Sequence, residues 1–388
     1  MSARNARFQQ IEWWDAGRIR QARALVAGAG ALGNELVKNL LLLGWGTIIV
    51  ADFDRVEESN LSRSVLFDAD SVGMPKVDAI VRSAARVNPE CTVIGLDADL
   101  RMAVSAGLAS RVDVVFGCLD SVTARVALGQ LAGRSGTLVI DGGLTTWEGT
   151  VRLFLTPAGP CYGCGLTQED LAEISLRRSC LAYAERTRAA GGTATTPTVA
   201  SATSALMAQQ ALKWIHRGLH DLNVAVGFEI RIDLAYDRFW RTELRLNEHC
   251  LIHPEPVSPV VMPGVSRDET WLHALASART ELGHPELTLR LPVPVLVGWN
   301  CPQCGARAKV WRAHLTDVPV LCSECGHRTA RDLDYLLTGD ESWAELSPQA
   351  MGFPAWTWID ADGDGLSETV ELMGASPELA ALAVGCRL

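Results

Sequence analysis

Short apolar runs alternate with helix-spaced segments through the first third of the chain. ALVAGAG, ALGNELVKNLLLLG and WGTIIVADFD follow one another over residues 24–52 and read as strand, turn, helix and strand. The same rhythm continues. KVDAIVRSAARVNP has helical spacing, CTVIGLDADL and RVDVVFGCLD read as strands, TARVALGQLAGRSG as a helix and TLVIDGG as a strand. Uniformly apolar strands separated by helices predict an α/β fold: a doubly wound, Rossmann-like, mostly parallel sheet.

The rhythm then changes. WEGTVRLFLTPAGP and EIRIDLAYDRFWRTELRL carry strand alternation and predict an antiparallel extension, with the small-residue helix TVASATSALMAQQALKWIHRG between them. Residues 165–197 are polar and end in AAGGTATTP, which reads as a mobile loop or short helices. PEPVSPVVMPG marks a proline-rich linker. The expected organisation is an N-terminal arm over 1–22, a core over 23–255, a linker over 256–267 and a C-terminal module over 268–388.

Composition narrows the class. Of 388 residues, 48% are hydrophobic and 21% charged, and the formal net charge is −10. An acidic balance argues against nucleic acid or an anionic membrane as the main partner. The start, MSARNARFQQIEWWDAG, lacks the apolar core of a secretory signal, and LLLLGWGTIIVA is too short to span a bilayer. A cytoplasmic location is expected, so closely spaced cysteines read as metal ligands rather than disulfides.

Candidate chemistry begins at GAGALG. Gly28, Gly30 and Gly33 fit G-x-G-x-x-G between a strand and a helix, where the backbone can approach a phosphate at a helix N-terminus. Asp52 ends the next strand, where a carboxylate can bind ribose hydroxyls. This much suits an NAD enzyme and an ATP enzyme alike. The stretches ADFDRVEESNLSR, MPKV and FGCLDS favour the second, because triphosphate chemistry needs cations and a metal-holding carboxylate.

In these motifs, and in their order, residues 23–253 resemble the ThiF/MoeB family, the ancestral form of ubiquitin-activating (E1-like) enzymes. The resemblance implies an adenylyltransferase using ATP and Mg²⁺. Asp52 would bind ribose, Asp54, Asn60, Arg63 and Lys76 would surround the phosphates, and Asp120 would hold magnesium. It further implies a homodimer, a substrate that is a ubiquitin-like protein with a C-terminal glycine, and an E2-like conjugating enzyme as acceptor. Activation of a sulfur carrier for thiamin, molybdopterin or a natural product is the alternative, with modification of a peptide C-terminus or an inactive docking role beyond it. The chain departs from the family at its N-terminus: an Arg-aromatic-x-Arg motif becomes Arg7-Phe8-Gln9-Gln10, leaving Arg7 or Arg4 to serve.

Cys161 and Cys164 form a C-x-x-C knuckle, and NEHCLIHP supplies Cys250 and His253, also three apart. Together they make a Cys₃His zinc site, with His249 as the substitute for His253. Cys180 is then not needed for zinc. It lies in the crossover loop behind Arg177 and Arg178, where ubiquitin-activating relatives carry the catalytic cysteine, and it is the expected thioester nucleophile. Cys91, Cys118 and Cys386 read as buried or incidental.

Cys301, Cys304, Cys322 and Cys325 give C-x₂-C-x₁₇-C-x₂-C, a zinc-ribbon spacing over about 295–330 for a second Zn²⁺. DADGDGLSETVE, Asp360 to Glu371, matches D-x-D-x-D-G-x₅-E, the calcium-loop pattern. Its flanks, AWTWI and TVELMG, look like strands, and a tight polar hairpin turn accounts for the same acidic residues.

Overall fold

The computed structural model of the chain describes residues 3–157, 159–170, 194–219, 222 and 225–382. An arm ending in a 3₁₀ helix, Ala3–Gln10, leads into α1 (Ala16–Gln21), capped by Asp15, whose carboxylate accepts from the amides of Gly17 and Arg18. The sheet then builds as the apolar runs predict: β1 (Arg23–Ala27), α2 (Ala31–Leu43), β2 (Thr47–Ala51), α3 (Lys76–Val87) and β3 (Thr92–Leu96). Next come α4 (Leu100–Ala103), α5 (Ala106–Ala109), β4 (Val114–Gly117), α6 (Val122–Arg134), β5 (Leu138–Leu144) and β6 (Glu148–Phe154). After the crossover segment follow α7 (Pro197–Ile215), β7 (Phe228–Asp233) and β8 (Arg238–Glu243).

The eight strands lie in the order β3-β2-β1-β4-β5-β6-β7-β8. The first five are parallel, and β6 to β8 pair antiparallel. Strands covered on both faces must be apolar on both, and β1, β2 and β4 are buried almost throughout. One face packs Leu36, Leu40, Ile80, Met207 and Leu212 of α2, α3 and α7. The chain runs from β1 outward to β2 and β3, then returns to β4 on the other side of β1. That reversal opens a crevice at the carboxyl ends of β1 and β4, the place where such sheets bind ligands.

A second sheet follows. Its elements are β9 (Val260–Ser266), α8 (Trp271–Leu282), β10 (Thr288–Asn300), β11 (Arg307–Ala313), β12 (Ala330–Leu337), β13 (Trp358–Gly363) and β14 (Leu366–Met373). Their order is β11-β10-β13-β14-β9, with β12 also on β10. Residues 260–266, read as linker from their prolines, are thus strand. Pro263 is tolerated because β9 is an edge strand and its register with β14 shifts between Glu371 and Met373.

The two sheets are not beads on a string. Ala355, Trp356, Leu379 and Leu382 complete the apolar layer that α4, α5 and α6 form against the other face of the first sheet. Arg101 bridges to Asp317 at 2.7 and 2.8 Å, Arg111 to Glu371 at 2.9 and 2.6 Å, and Arg134 to Asp360 at 2.6 Å. The Asp360–Glu371 segment is therefore the β13–β14 hairpin, turning at Asp364 and Gly365, where Gly365 has φ 75°. Its calcium-type carboxylates accept from arginines instead: Asp360 from Arg134, Asp362 from Arg290 at 3.2 Å, and Glu371 from Arg111.

Candidate functional site: a nucleotide crevice and two sulfur clusters

The glycine loop follows β1 into the crevice. Gly28 has φ 97°, and a Cβ there would lie 2.3 Å from the Cys118 carbonyl oxygen, so only glycine lets the loop pass so close to the end of β4. At Gly33 a Cβ would lie 1.9 Å from the Gly28 carbonyl oxygen. Gly30 is the N-cap of α2, and a Cβ placed on it would meet nothing within 4 Å. The chain at Gly30 thus borders open space where α2 begins, the setting an anionic phosphate needs.

Asp52 leaves β2 beside this loop. One of its oxygens accepts the Ala29 amide at 2.7 Å and the other the Asp54 amide at 2.8 Å. Burial pushes its carboxyl pKa up, against the pull of Lys76 and the two amides. Each oxygen keeps a second lone pair for a sugar hydroxyl.

The loop after Asp52 is clamped to the start of α3 by a short antiparallel bridge. Val56 N donates to Met74 O at 2.9 Å, Gly73 N to Val56 O at 2.8 Å, and Lys76 N to Asp54 O at 2.9 Å. The clamp places Lys76 Nζ 2.7 Å from Asp54 Oδ2, with Lys76 only 9% exposed. Asn60 and Arg63 lie on the intervening 3₁₀ turn. Asn60 accepts from the Glu57 amide at 3.1 Å, and Arg63 donates to the Ser59 carbonyl at 2.7 Å.

Asp120 sits in the turn between β4 and α6. It is exposed, and among the described residues it has no hydrogen-bond or ion-pair partner; Ser121, not Asp120, caps α6 by accepting from the Ala124 amide at 3.2 Å. The glycine loop, Asp52 and Asp120 therefore follow the carboxyl ends of neighbouring strands, and Lys76 joins them from the start of α3. The chemistry of this donor set fits a magnesium-bound nucleotide, since an exposed carboxylate such as Asp120 is the oxygen ligand type that magnesium takes.

Sequence reasoning missed one group next to this site. Asp141, inside the apolar run of β5, is buried and paired to Arg125 of α6, whose Nη1 lies 2.6 and 2.5 Å from its two oxygens. A lone acid within LVIDGG was the signal available.

Cys161, Cys164, Cys250 and His253 come together with all ligand atoms within 4.8 Å of one another. Cys161 Sγ lies 3.8 Å from both Cys164 Sγ and Cys250 Sγ, and Cys164 Sγ lies 3.4 Å from His253 Nδ1. A tetrahedron with metal–sulfur bonds of about 2.3 Å has edges of about 3.8 Å, so the cluster fits zinc. Burial, then the neighbouring thiols, push the Cys161 thiol up to about 12, so a cation is what would let these sulfurs gather as thiolates. His249 lies outside the cluster. Cys301, Cys304, Cys322 and Cys325 form the second cluster, with sulfurs 3.5–3.6 Å apart. It closes the far end of β10, β11 and β12, so the ribbon continues strands rooted in the second core. Of the other cysteines, Cys118 is held up as a thiol chiefly by burial, and burial pushes Cys91 up to about 12. Cys180, Arg177, Arg178 and Cys386 lie outside the described residues.

A doubly wound sheet with a phosphate loop and an acid–lysine pair at its switch point defines a nucleotide-binding α/β protein. Residues 2–251 match the ThiF family, and the chain belongs to that family. Its relatives include the SAMP-activating enzyme E1 of Haloferax volcanii, 32% identical over 148 residues that make up 38% of this chain and 54% of that protein. The molybdopterin-synthase adenylyltransferase of Escherichia coli is 32% identical over 147 residues, 38% of this chain and 59% of that one. The adenylyltransferase and sulfurtransferase UBA4 of Eremothecium gossypii is 33% identical over 148 residues, 38% of this chain and 33% of the relative. The chain thus spans less than two thirds of the length of each. Among solved structures, E. coli MccB with MccA-N7isoASN shares the fold at a TM-score of 0.52 and 20% identity, covering 65% of this chain and 75% of that one. No helix among the described residues is long and apolar enough to cross a membrane.

Proposed function

We propose that this protein adenylates the C-terminal carboxylate of a small ubiquitin-like or sulfur-carrier protein. A carboxylate oxygen of the carrier attacks the α-phosphorus of ATP, the bond to the β-phosphate oxygen breaks, and pyrophosphate leaves. Gly28, Gly30 and Gly33 cradle the phosphates, Asp52 holds the ribose, Asn60, Arg63 and Lys76 orient the phosphate chain, and Asp120 holds magnesium. When bound, magnesium would neutralise phosphate charge. The observation that carries this reading is Lys76: a nearly buried ammonium with one carboxylate partner, beside a glycine loop whose helix start borders open space. A triphosphate that approaches such a site meets a cation already desolvated and aimed.

In the finer reading, the Cys180 thiolate attacks the acyl-adenylate, AMP leaves, and the thioester passes to a conjugating enzyme. The SAMP-activating relative favours this route. The two relatives named for molybdopterin synthase and for sulfurtransferase activity favour the second route, in which the adenylate goes directly to a sulfur donor. A homodimer would bring the arm carrying Arg7, which is exposed, to the partner's nucleotide.

Exchange of radiolabelled pyrophosphate into ATP tests the reading. It should require a carrier with a free C-terminal glycine, and a thiol-sensitive carrier adduct lost in Cys180→Ala would select the thioester route. Nucleotide that fails to bind the crevice at all would remove the proposal.

A further inference from the structure

We propose that Arg125, clamped by Asp141, is a positioning residue that fixes the turn carrying Asp120 and so sets magnesium affinity at the nucleotide site. The inference rests on the ATP reading above and goes beyond it, because that reading gives neither residue a role.

Asp120 is an exposed carboxylate without a side-chain partner among the described residues, so its position is set by its backbone. The turn is anchored at one end by Cys118 N donating to Ala27 O at 2.8 Å, and at the other by the Ser121 cap. Its middle is held by Arg125, whose Nη2 donates to the Leu119 carbonyl, one residue before Asp120. The guanidinium cannot turn away from that carbonyl, because Nη1 grips both oxygens of Asp141. The side chains are 12% and 4% exposed, so water competes little with either contact.

Asp141 is braced in turn. Arg152 lies 4.0 Å from its Oδ2 and is tied to Glu229 at 2.6 Å on β7. A Cβ at Gly117 would stand 2.8 Å from Asp141 Oδ1, so the end of β4 is bare where the carboxylate needs room. As a source of stability the pair is a poor choice, since the desolvation of two charges offsets most of their attraction. What a planar guanidinium held at both ends does supply is direction. Support behind a metal-ligating carboxylate is worth roughly 10–100-fold in metal affinity.

The test is binding of a non-hydrolysable ATP analogue to the full chain, titrated calorimetrically in magnesium-free buffer and across magnesium concentrations. In Arg125→Met, the magnesium needed for half-maximal enhancement of binding should rise ~10–100-fold, with magnesium-free affinity changed by no more than a few fold. Asp141→Asn should move the same way by less. Arg125→Lys keeps the charge against Asp141 but lacks the second donor arm, so it should fold and still show the shift; if Arg125→Met does not fold, Arg125→Lys decides by the same criterion. Wild-type magnesium dependence in these variants, with only a lower melting temperature, assigns the pair to stability and overturns the inference alone. A wild type that binds no nucleotide overturns the ATP reading and this inference with it.

Discussion

Lys76, the first residue of α3, reaches back to Asp54 beyond the end of β2, with 2.7 Å between ammonium and carboxylate. The contact joins two loops that the sheet alone would leave independent. Its lysine is nearly buried and its aspartate is half exposed, so the carboxylate is the more open half of the pair and the ammonium is the sheltered one.

Lys76→Met should therefore lower ATP–pyrophosphate exchange by about 10²–10³-fold, the usual cost of removing one preorganised charge-stabilising group. Lys76→Arg should recover little, because the larger fork does not fit a position 9% exposed. Circular dichroism should remain that of the native protein in both. Exchange at wild-type rates in Lys76→Met would remove the residue from the phosphate site.

The two sulfur clusters should bind zinc independently. Elemental analysis of the purified chain should give two zinc ions, one for each group of four ligands. Cys250→Ala should lose one and Cys322→Ala the other. Loss at Cys250 should lower the melting temperature of the core, since that site ties the start of the crossover segment to the segment between β8 and β9. Loss at Cys322 should unravel the ribbon and leave nucleotide binding unchanged.

Arg111 and Glu371 form a two-bond pair at the seam between the sheets, with Glu371 2% exposed and Trp358 Nε1 donating to it at 2.9 Å. Arg111→Ala leaves that carboxylate buried without its partner, at a cost of about 3–5 kcal/mol. The double variant Arg111→Ala with Glu371→Gln should regain part of the loss, and Glu371→Gln alone completes the cycle. Chemical denaturation of the four proteins in this cycle measures the coupling, and an Arg111→Ala protein as stable as wild type would show that the seam contributes nothing.

The Asp360–Glu371 hairpin should not respond to calcium. Millimolar Ca²⁺ should leave the melting temperature within a degree or so of its value in a chelated control, since the carboxylates of a bound loop must converge on one ion. Here they point along a two-stranded ladder, with Asp360 opposite Thr369 and Asp362 opposite Ser367. A calcium-dependent rise of several degrees would restore the loop reading.

What could be read from the sequence divides along a physical line. The parallel strands were legible because strands covered on both faces must be apolar throughout, as TIIVA and VVFG are. Cysteine pairs were legible because coordination fixes their spacing locally. At Asp360 to Glu371 the flanking strands pointed to the hairpin and the letters to a calcium loop, because letters record which oxygens are present and not where a strand's pleat sends them. β9 was hidden by Pro259 and Pro263, whose usual meaning reverses on an edge strand. Arg125 and Asp141 are 16 residues apart and meet only after a helix has folded back on its sheet. No local pattern announces such a pair.

The parallel pairing of β9 with β14 has a temporal consequence. β9 emerges from the ribosome first among the strands of its sheet, yet its hydrogen-bond partner is made last among the described strands, roughly a hundred residues later. Until then its amides face solvent and the sheet stands open. A nascent chain halted before residue 366 should thus hold an unclosed second sheet, with Leu379 and Leu382 still missing from the face of the first, vulnerable to proteases and to edge-on association with its neighbours.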